Sequence, residues 1–416
     1  MTNVPNLRFN NFNDKWQEHV LGDIFEFYTT NSFSRDFLDN DNGSVKNIHY
    51  GDIHMKFPTI LDVKNNGIPY VKETVDLSKI SIEAYCKNGD VVIADASEDY
   101  NDIGKAIELK NVGEEKLLAG LHTILARDSK QVMVNGFRGY LMSSPNVRKQ
   151  IKVYAAGAKV LGISKANISK VNLLIPSSIE QEKIASLFSL IDKKIELQTE
   201  KVEELKNYKK GIMQKIFSQE LRFKDEDGNE YPEWEERKLG NLINEYEYKT
   251  DSNNKYPILS STLNGIVLQS NYFSKQTASV DTTGYKIVPR GYFTYRSMSD
   301  TGVFRFNMQE VVDFGIVSPA YPVFASSDKI NSKFLELVLN HSPGVKRQLL
   351  ITKEGGTRYA LGFKKLKQIQ VMIPCKLEQE KIAILIRNLD SKVNKEEQKL
   401  VALIDYKKGL LQQMFI

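Results

Sequence analysis

Residues 175–217 read IPSSIEQEKIASLFSLIDKKIELQTEKVEELKNYKKGIMQKIF, and residues 373–415 read IPCKLEQEKIAILIRNLDSKVNKEEQKLVALIDYKKGLLQQMF. Laid on one another without a gap, about 19 positions are identical. Two helices forced into one hydrophobic pattern would share only their apolar positions. Here polar tetrads recur as well: Glu180-Gln181-Glu182-Lys183 as Glu378-Gln379-Glu380-Lys381, and Tyr208-Lys209-Lys210-Gly211 as Tyr406-Lys407-Lys408-Gly409. The stretch is a duplicated unit, which points to a protein that touches two similar things.

Within each copy the apolar residues step by three and four among Lys, Glu and Gln, giving one hydrophobic seam along a helix. Ile184, Leu187, Ile191, Ile195 and Leu205 carry it in the first copy, and Ile382, Leu385, Leu389, Leu403 and Leu410 in the second. Pro176 and Pro374 stand just before each helix, where proline is tolerated. The near-identity of the seams predicts that the helices pair antiparallel about a pseudo-twofold axis. Ile184, Leu187, Ile191 and Ile195 are expected to face Leu400, Leu403, Leu410 and Met414. The plainer alternative is that each helix only caps a core.

Outward from the helices the duplication continues. Leu7-Arg8-Phe9 precedes Trp16, and Leu221-Arg222-Phe223 precedes Trp234; these are the chain's two tryptophans. A Leu-Gly pair follows each Trp at the same distance, and a second pair, Leu161-Gly162 and Leu361-Gly362, comes before Ile175-Pro176 and Ile373-Pro374. The bodies between these markers do not align by eye. A common frame thus carries two different middles. Runs such as GDVVIADA from Gly89 and YKIVPRGYFTYR from Tyr285 predict strands, and YLMSSPNVRKQIKVYA from Tyr140 predicts helix, so each body is mixed α/β.

A hydrophobic content of 41% over 416 residues fits a folded chain of two or three domains. Two distant cysteines, Cys86 and Cys375, predict a reducing, cytoplasmic setting. The opening residues hold no apolar core flanked by basic residues, and no apolar run reaches the length of a membrane span, so neither a signal peptide nor a membrane partner is expected. The net charge of +5 permits nucleic acid without demanding it.

Catalytic signatures are missing. There is no phosphate loop, no dinucleotide fingerprint and no Cys-x-x-Cys, and the five histidines have no metal-ligand spacing. What remains is binding chemistry. Basic residues interleaved with aromatic and hydroxyl side chains suit phosphate and base-edge contacts. The first body offers Lys46, His49, Lys56, Tyr100, Lys105 and Lys159; the second offers Lys275, Tyr295, Arg296, Ser297, Arg305, Arg358 and Tyr359. The bland reading of any one of them is a surface lysine or a core tyrosine. A coiled-coil scaffold binding only protein, and a stand-alone enzyme, are the rival readings for the whole chain.

The order Trp-x(4)-Leu-Gly, Ile-Pro…Glu-Gln-Glu-Lys-Ile-Ala and Tyr-Lys-Lys-Gly, occurring twice, resembles the specificity subunit of type I restriction–modification systems (HsdS) over nearly the whole chain. That resemblance implies an N-terminal arm (1–15), a first target recognition domain (16–176), a central helical spacer (177–220), a linker (221–233), a second target recognition domain (234–374) and a C-terminal helical spacer (375–416). Each recognition domain would read one half of a split double-stranded DNA target. The chain itself would be non-catalytic and hold no cofactor. It would recruit two adenine-N6 methyltransferase subunits that use S-adenosylmethionine, and translocase–endonuclease subunits that use ATP and magnesium. A helix of about 38 residues would be about 57 Å long, enough to set readers in successive major grooves roughly 34–36 Å apart.

Overall fold

The computed structural model describes residues 4–64, 67–157, 159–272, 281–352 and 359–416. Residue contacts divide the chain into two units, 1–200 with 397–416, and 201–396. The division runs through both long helices, so each body keeps one end of each helix.

The frame is the same in both units. The residues after each Trp form a strand, Gln17–Val20 or Glu235–Lys238, which pairs antiparallel with the strand before each Ile-Pro, Asn172–Ile175 or Gln370–Ile373. The registers correspond: Gln17 lies opposite Ile175, and Glu235 opposite Ile373. The Leu-Gly pair extends the ribbon, since Leu21 N–H donates to Val171 and Gly22 N–H to Ser169, just as Leu239 donates to Ile369 and Gly240 to Lys367. Glycine is needed because the two backbones nearly touch. A Cβ on Gly22 would lie 2.8 Å from Ser169 Cβ, and one on Gly240 3.1 Å from the Lys367 carbonyl. Each body therefore leaves and re-enters its frame at one ribbon.

The seams become the helices Ser178–Phe217 and Lys376–Met414. In the first unit Ile184, Leu187, Ile191 and Ile195 share a core with Leu410, Leu411, Met414 and Phe415. In the second, Ile212, Met213 and Ile216 share a core with Ile382, Leu385, Ile386 and Leu389. Within each unit, then, the start of one helix meets the end of the other. Leu205, Leu400 and Leu403 are half-buried and belong to neither core, which corrects the expectation that Leu400 and Leu403 face Ile184, Leu187, Ile191 and Ile195 and that Leu205 carries the pairing; Leu410 and Met414 do meet that face. The largest helix contribution in the first unit is Phe188, which the seam pattern did not single out; it is fully buried against Phe415.

The polar repeats are fasteners. Glu180 is buried and accepts two bonds of 2.7 Å from Arg8, while Glu378 accepts 3.3 and 2.9 Å bonds from Arg222. Gln181 and Gln379 each donate to the carbonyl of the preceding Ile-Pro proline and accept a backbone N–H from the body, Val134 or Asn331. The ammonium of Lys183 sits over the Phe12 ring and that of Lys381 over Tyr231. Lys407 pairs with Asp192 in the first unit and Lys209 with Asp390 in the second.

The duplication also reaches further into the bodies than the eye suggests. Ser144-Pro145, Val147 and Gln150 correspond to Ser342-Pro343, Val345 and Gln348. Gln150 grips the backbone of Asn172 through both N–H and carbonyl, and Gln348 grips Gln370 in the same way. Upstream of that point the middles differ. The first unit has a five-stranded sheet, with Thr123–Arg127 and Val91–Ala94 at its centre, and a four-stranded sheet containing Lys46–Ile48. The second has a four-stranded antiparallel sheet, Ile243–Glu245, Val323–Ser326, Phe293–Thr294 and Asn307–Met308 in spatial order, plus shorter pairs.

Candidate nucleic-acid interface

In the second unit the hairpin Leu259–Thr262/Gly265–Leu268 leans on the four-stranded sheet, because Asn307 donates 2.8 Å bonds to Ser261 Oγ and to the Thr262 carbonyl. Between hairpin and sheet lies a cleft of about 480 Å³ lined by Ser260, Ser261, Thr262, Arg296, Ser299 and Arg305, among others. Two of the arginines expected from the sequence thus meet at one concave surface rimmed by hydroxyls. Arg296 is exposed. Arg305 is half-buried, and its Nε has no partner among the described residues. Burial, helped by the Arg305 charge, pushes nearby His341 down to about 4. Tyr359 reaches the cleft's edge through a bridge pair with Ser299.

Other expected residues have structural duties. Tyr295 is fully buried against Phe306 and Phe324 and donates 3.1 Å to the Leu361 carbonyl, so it is a core residue and cannot support a DNA contact at the surface. Ser297 donates 2.9 Å to the Ala320 carbonyl. Lys275 and Arg358 lie outside the described residues.

In the first unit the short helix Tyr50–Met55 gathers several expected residues. His49 caps it, accepting 3.1 Å from Gly51 N–H. Burial, and then the Arg35 charge, lower the imidazole's proton affinity. Lys56 closes the other end and bonds the Gly67 carbonyl, and Lys105 donates 2.7 Å to the His54 carbonyl. Lys46 is corrected: its ammonium is buried on the Val63 carbonyl and Glu115, because its strand is covered on both faces. His49 is likewise mostly buried, so its ring serves the helix cap rather than an open groove. Tyr100 and Lys159 are exposed, Tyr100 beneath the Lys152 ammonium. Among the described residues no cluster of His, Cys, Asp and Glu could hold a metal ion, and no helix is long and apolar enough to cross a membrane.

A family model described as the type I restriction modification DNA specificity domain matches residues 13–207 and again residues 231–403, one match on each frame. The chain belongs to this family. The S subunit of a type I restriction–modification system from M. genitalium is 14% identical and superposes with a TM-score of 0.55, over 99% of both chains. A chain from a structure concerned with complex assembly and conformational transition of the type I R-M system is 11% identical, with a TM-score of 0.56 over 96% of this chain and 97% of that one. At these identities the likeness is one of fold.

The chain is thus a type I specificity subunit, with one DNA specificity domain matched on each frame. In the second body Arg296 and Arg305 meet at one cleft, and in the first Lys56 and Lys105 lie against the short helix Tyr50–Met55. Sequence reasoning missed Arg35 there, whose half-exposed guanidinium is locked on Asp52 by two 2.8 Å bonds. Its only sequence signal was a basic residue in a Ser/Asn-rich stretch, which is too common to single out.

Proposed function

We propose that the body of each unit reads one half of a split double-stranded target, and that the two frames bring one methyltransferase subunit each to the complex. The observation that carries this reading is the identical closed ribbon beneath two dissimilar middles. Partner docking on the repeats is supported by recurrences that packing within the units does not explain. Tyr208 and Tyr406 are each 58% exposed. A side chain at Gly211 or Gly409 would meet nothing within 4 Å, although glycine inside a helix costs about 1 kcal/mol relative to alanine. In this reading S-adenosylmethionine is held by the methyltransferase subunits, and ATP and magnesium by translocase–endonuclease subunits. The assembly works in the cytoplasm, and this chain contributes no catalytic group.

Arg296 and Arg305 test the reading at the second body. Arginine offers two donors to guanine O6 and N7, a contact worth about 1–3 kcal/mol of discrimination. Arg296→Ala, assayed in the assembled complex, is expected to weaken target binding about tenfold or more and to relax one position of the second half-site only. Arg305→Ala, if that residue clamps phosphate, weakens all sequences equally and lowers the salt slope by about one. Unchanged affinity, salt slope and motif in both variants would remove this cleft from the interface.

A further inference from the structure

The Gly120-Leu121-His122 turn carries the first unit's chain from the strand Leu117–Ala119 in one sheet to Thr123–Arg127 in the other. His122 takes a left-handed conformation there, with φ 53°, a conformation uncommon for a residue with a side chain. Its ring is nevertheless fixed on two sides. It stands edge-on to Tyr50, with centroids 5.3 Å apart, and its Nδ1 lies 3.3 Å from Asp95 Oδ1. Asp95 is held in turn, because its N–H donates 3.0 Å to the His122 carbonyl and its carbonyl accepts from Ile163. Tyr50 is braced by His49 and His54, at 4.7 and 5.9 Å. Despite these restraints half of the His122 side chain remains open to solvent. A rigid ring whose one nitrogen is tied and whose other edge is free is suited to reading a partner's hydrogen-bond pattern.

We propose that His122 is a specificity-determining residue of the first half-site, contacting a base edge through Nε2. This rests on the reading that the first body binds half of a split target. With Nδ1 turned to the Asp95 carboxylate, Nε2 is the ring nitrogen left to meet a base edge. In the major groove an imidazole nitrogen pairs with the acceptors N7 and O6 when it carries a proton and with the exocyclic amines N6 and N4 when it does not. Asp95 and Tyr50 are positioning residues. The surrounding cations, Arg35, Lys105 and Lys165, favour approach of the phosphate backbone; Lys165 is near enough for its charge to act on Asp95.

The test uses the full chain assembled with its methyltransferase subunits and reads the methylated motif of a host genome together with DNA affinity. His122→Gly keeps the left-handed backbone at no steric cost, and His122→Asn tolerates it as well, so neither should disturb folding. Both variants are expected to keep wild-type unfolding behaviour and the second half-site, while discrimination at one position of the first half-site falls about tenfold. The relaxed letter tells which base is read. An unchanged motif and affinity in a folded, assembled His122→Gly complex overturns the proposal. So does a uniform loss across both half-sites. If the wild-type complex marks no bipartite motif, the underlying reading fails instead, and that result is visible before any variant is made.

Discussion

Phe415→Ala is expected to destabilise the first unit by about 3–5 kcal/mol, the usual cost of truncating a buried aromatic side chain. Phe415 lies at the far end of the sequence, yet its ring sits 6.2 Å from Trp16, 5.7 Å from Phe137 and 5.9 Å from Phe188. It therefore joins the end of the C-terminal helix to the Trp frame, the body and the start of the central helix. It is only 5% exposed, and its neighbours Trp16, Phe137 and Phe188 are themselves buried, so the lost volume is not readily refilled. Because a two-unit chain need not unfold in one step, each unit needs its own probe. The two tryptophans supply it, since Trp16 is buried in the first unit and Trp234 in the second. In a Trp234→Phe background, urea unfolding followed by Trp16 fluorescence should show the full loss. A loss below about 1 kcal/mol, typical of surface positions, would mean that the helix end does not seal this core.

Glu378→Ala is expected to cost the second unit about 3 kcal/mol, because it removes the buried partner of Arg222 and leaves the guanidinium only the exposed Glu233 carboxylate, 3.3 Å away. Glu378 is fully buried and accepts from Arg222 Nε and Nη2 and from the Phe223 N–H, while the Arg222 side chain is 12% exposed. The Tyr231 and Pro232 carbonyls also accept from Arg222, but dipoles replace only part of a lost carboxylate. The paired replacement Arg222→Met with Glu378→Leu removes both charges, and its cost should be much smaller or absent. Trp234 fluorescence in a Trp16→Phe background measures both variants. If the single variant is no worse than the double, the pair is not the fastener that its burial indicates.

The helices were legible in the sequence because their signal is local. Period and capping predicted a helix from about Glu180 to Phe217, and the helix found is Ser178–Phe217. The repeated order of motifs revealed the two frames, since duplication is visible without knowing any contact. What joins the motifs was not legible. Arg8 and Glu180, or Arg222 and Glu378, are far apart in the chain, and nothing in local spacing says that a Leu-Arg-Phe arginine inserts beneath a Glu-Gln-Glu-Lys helix start. The ribbon that closes each body is hidden for the same reason, although both of its strands were bracketed by quoted motifs.

The candidate interface was legible only as composition. Interleaved basic and aromatic residues led to Arg296 and Arg305, which the fold brings to one cleft, but the same pattern led to Lys46 and Tyr295, which it buries. A tyrosine among Phe293, Thr294 and Arg296 reads equally well as core or as surface; only the packing of Phe306 and Phe324 on its ring decides. His122 was legible only as part of Gly120-Leu121-His122-Thr123, a strand motif of the family resemblance, because its left-handed backbone and its Asp95 and Tyr50 restraints exist only in three dimensions.

The most direct test of the two-reader frame is exchange of the first body, between the ribbon strands Gln17–Val20 and Asn172–Ile175, for the corresponding body of another family member, followed by sequencing of the host methylome. Because the body enters and leaves at one ribbon, the chimaera should assemble and should mark a motif in which one half is new while the other half and the spacing are retained. A change in both halves, or in neither, would contradict the account of two independent readers on a common frame.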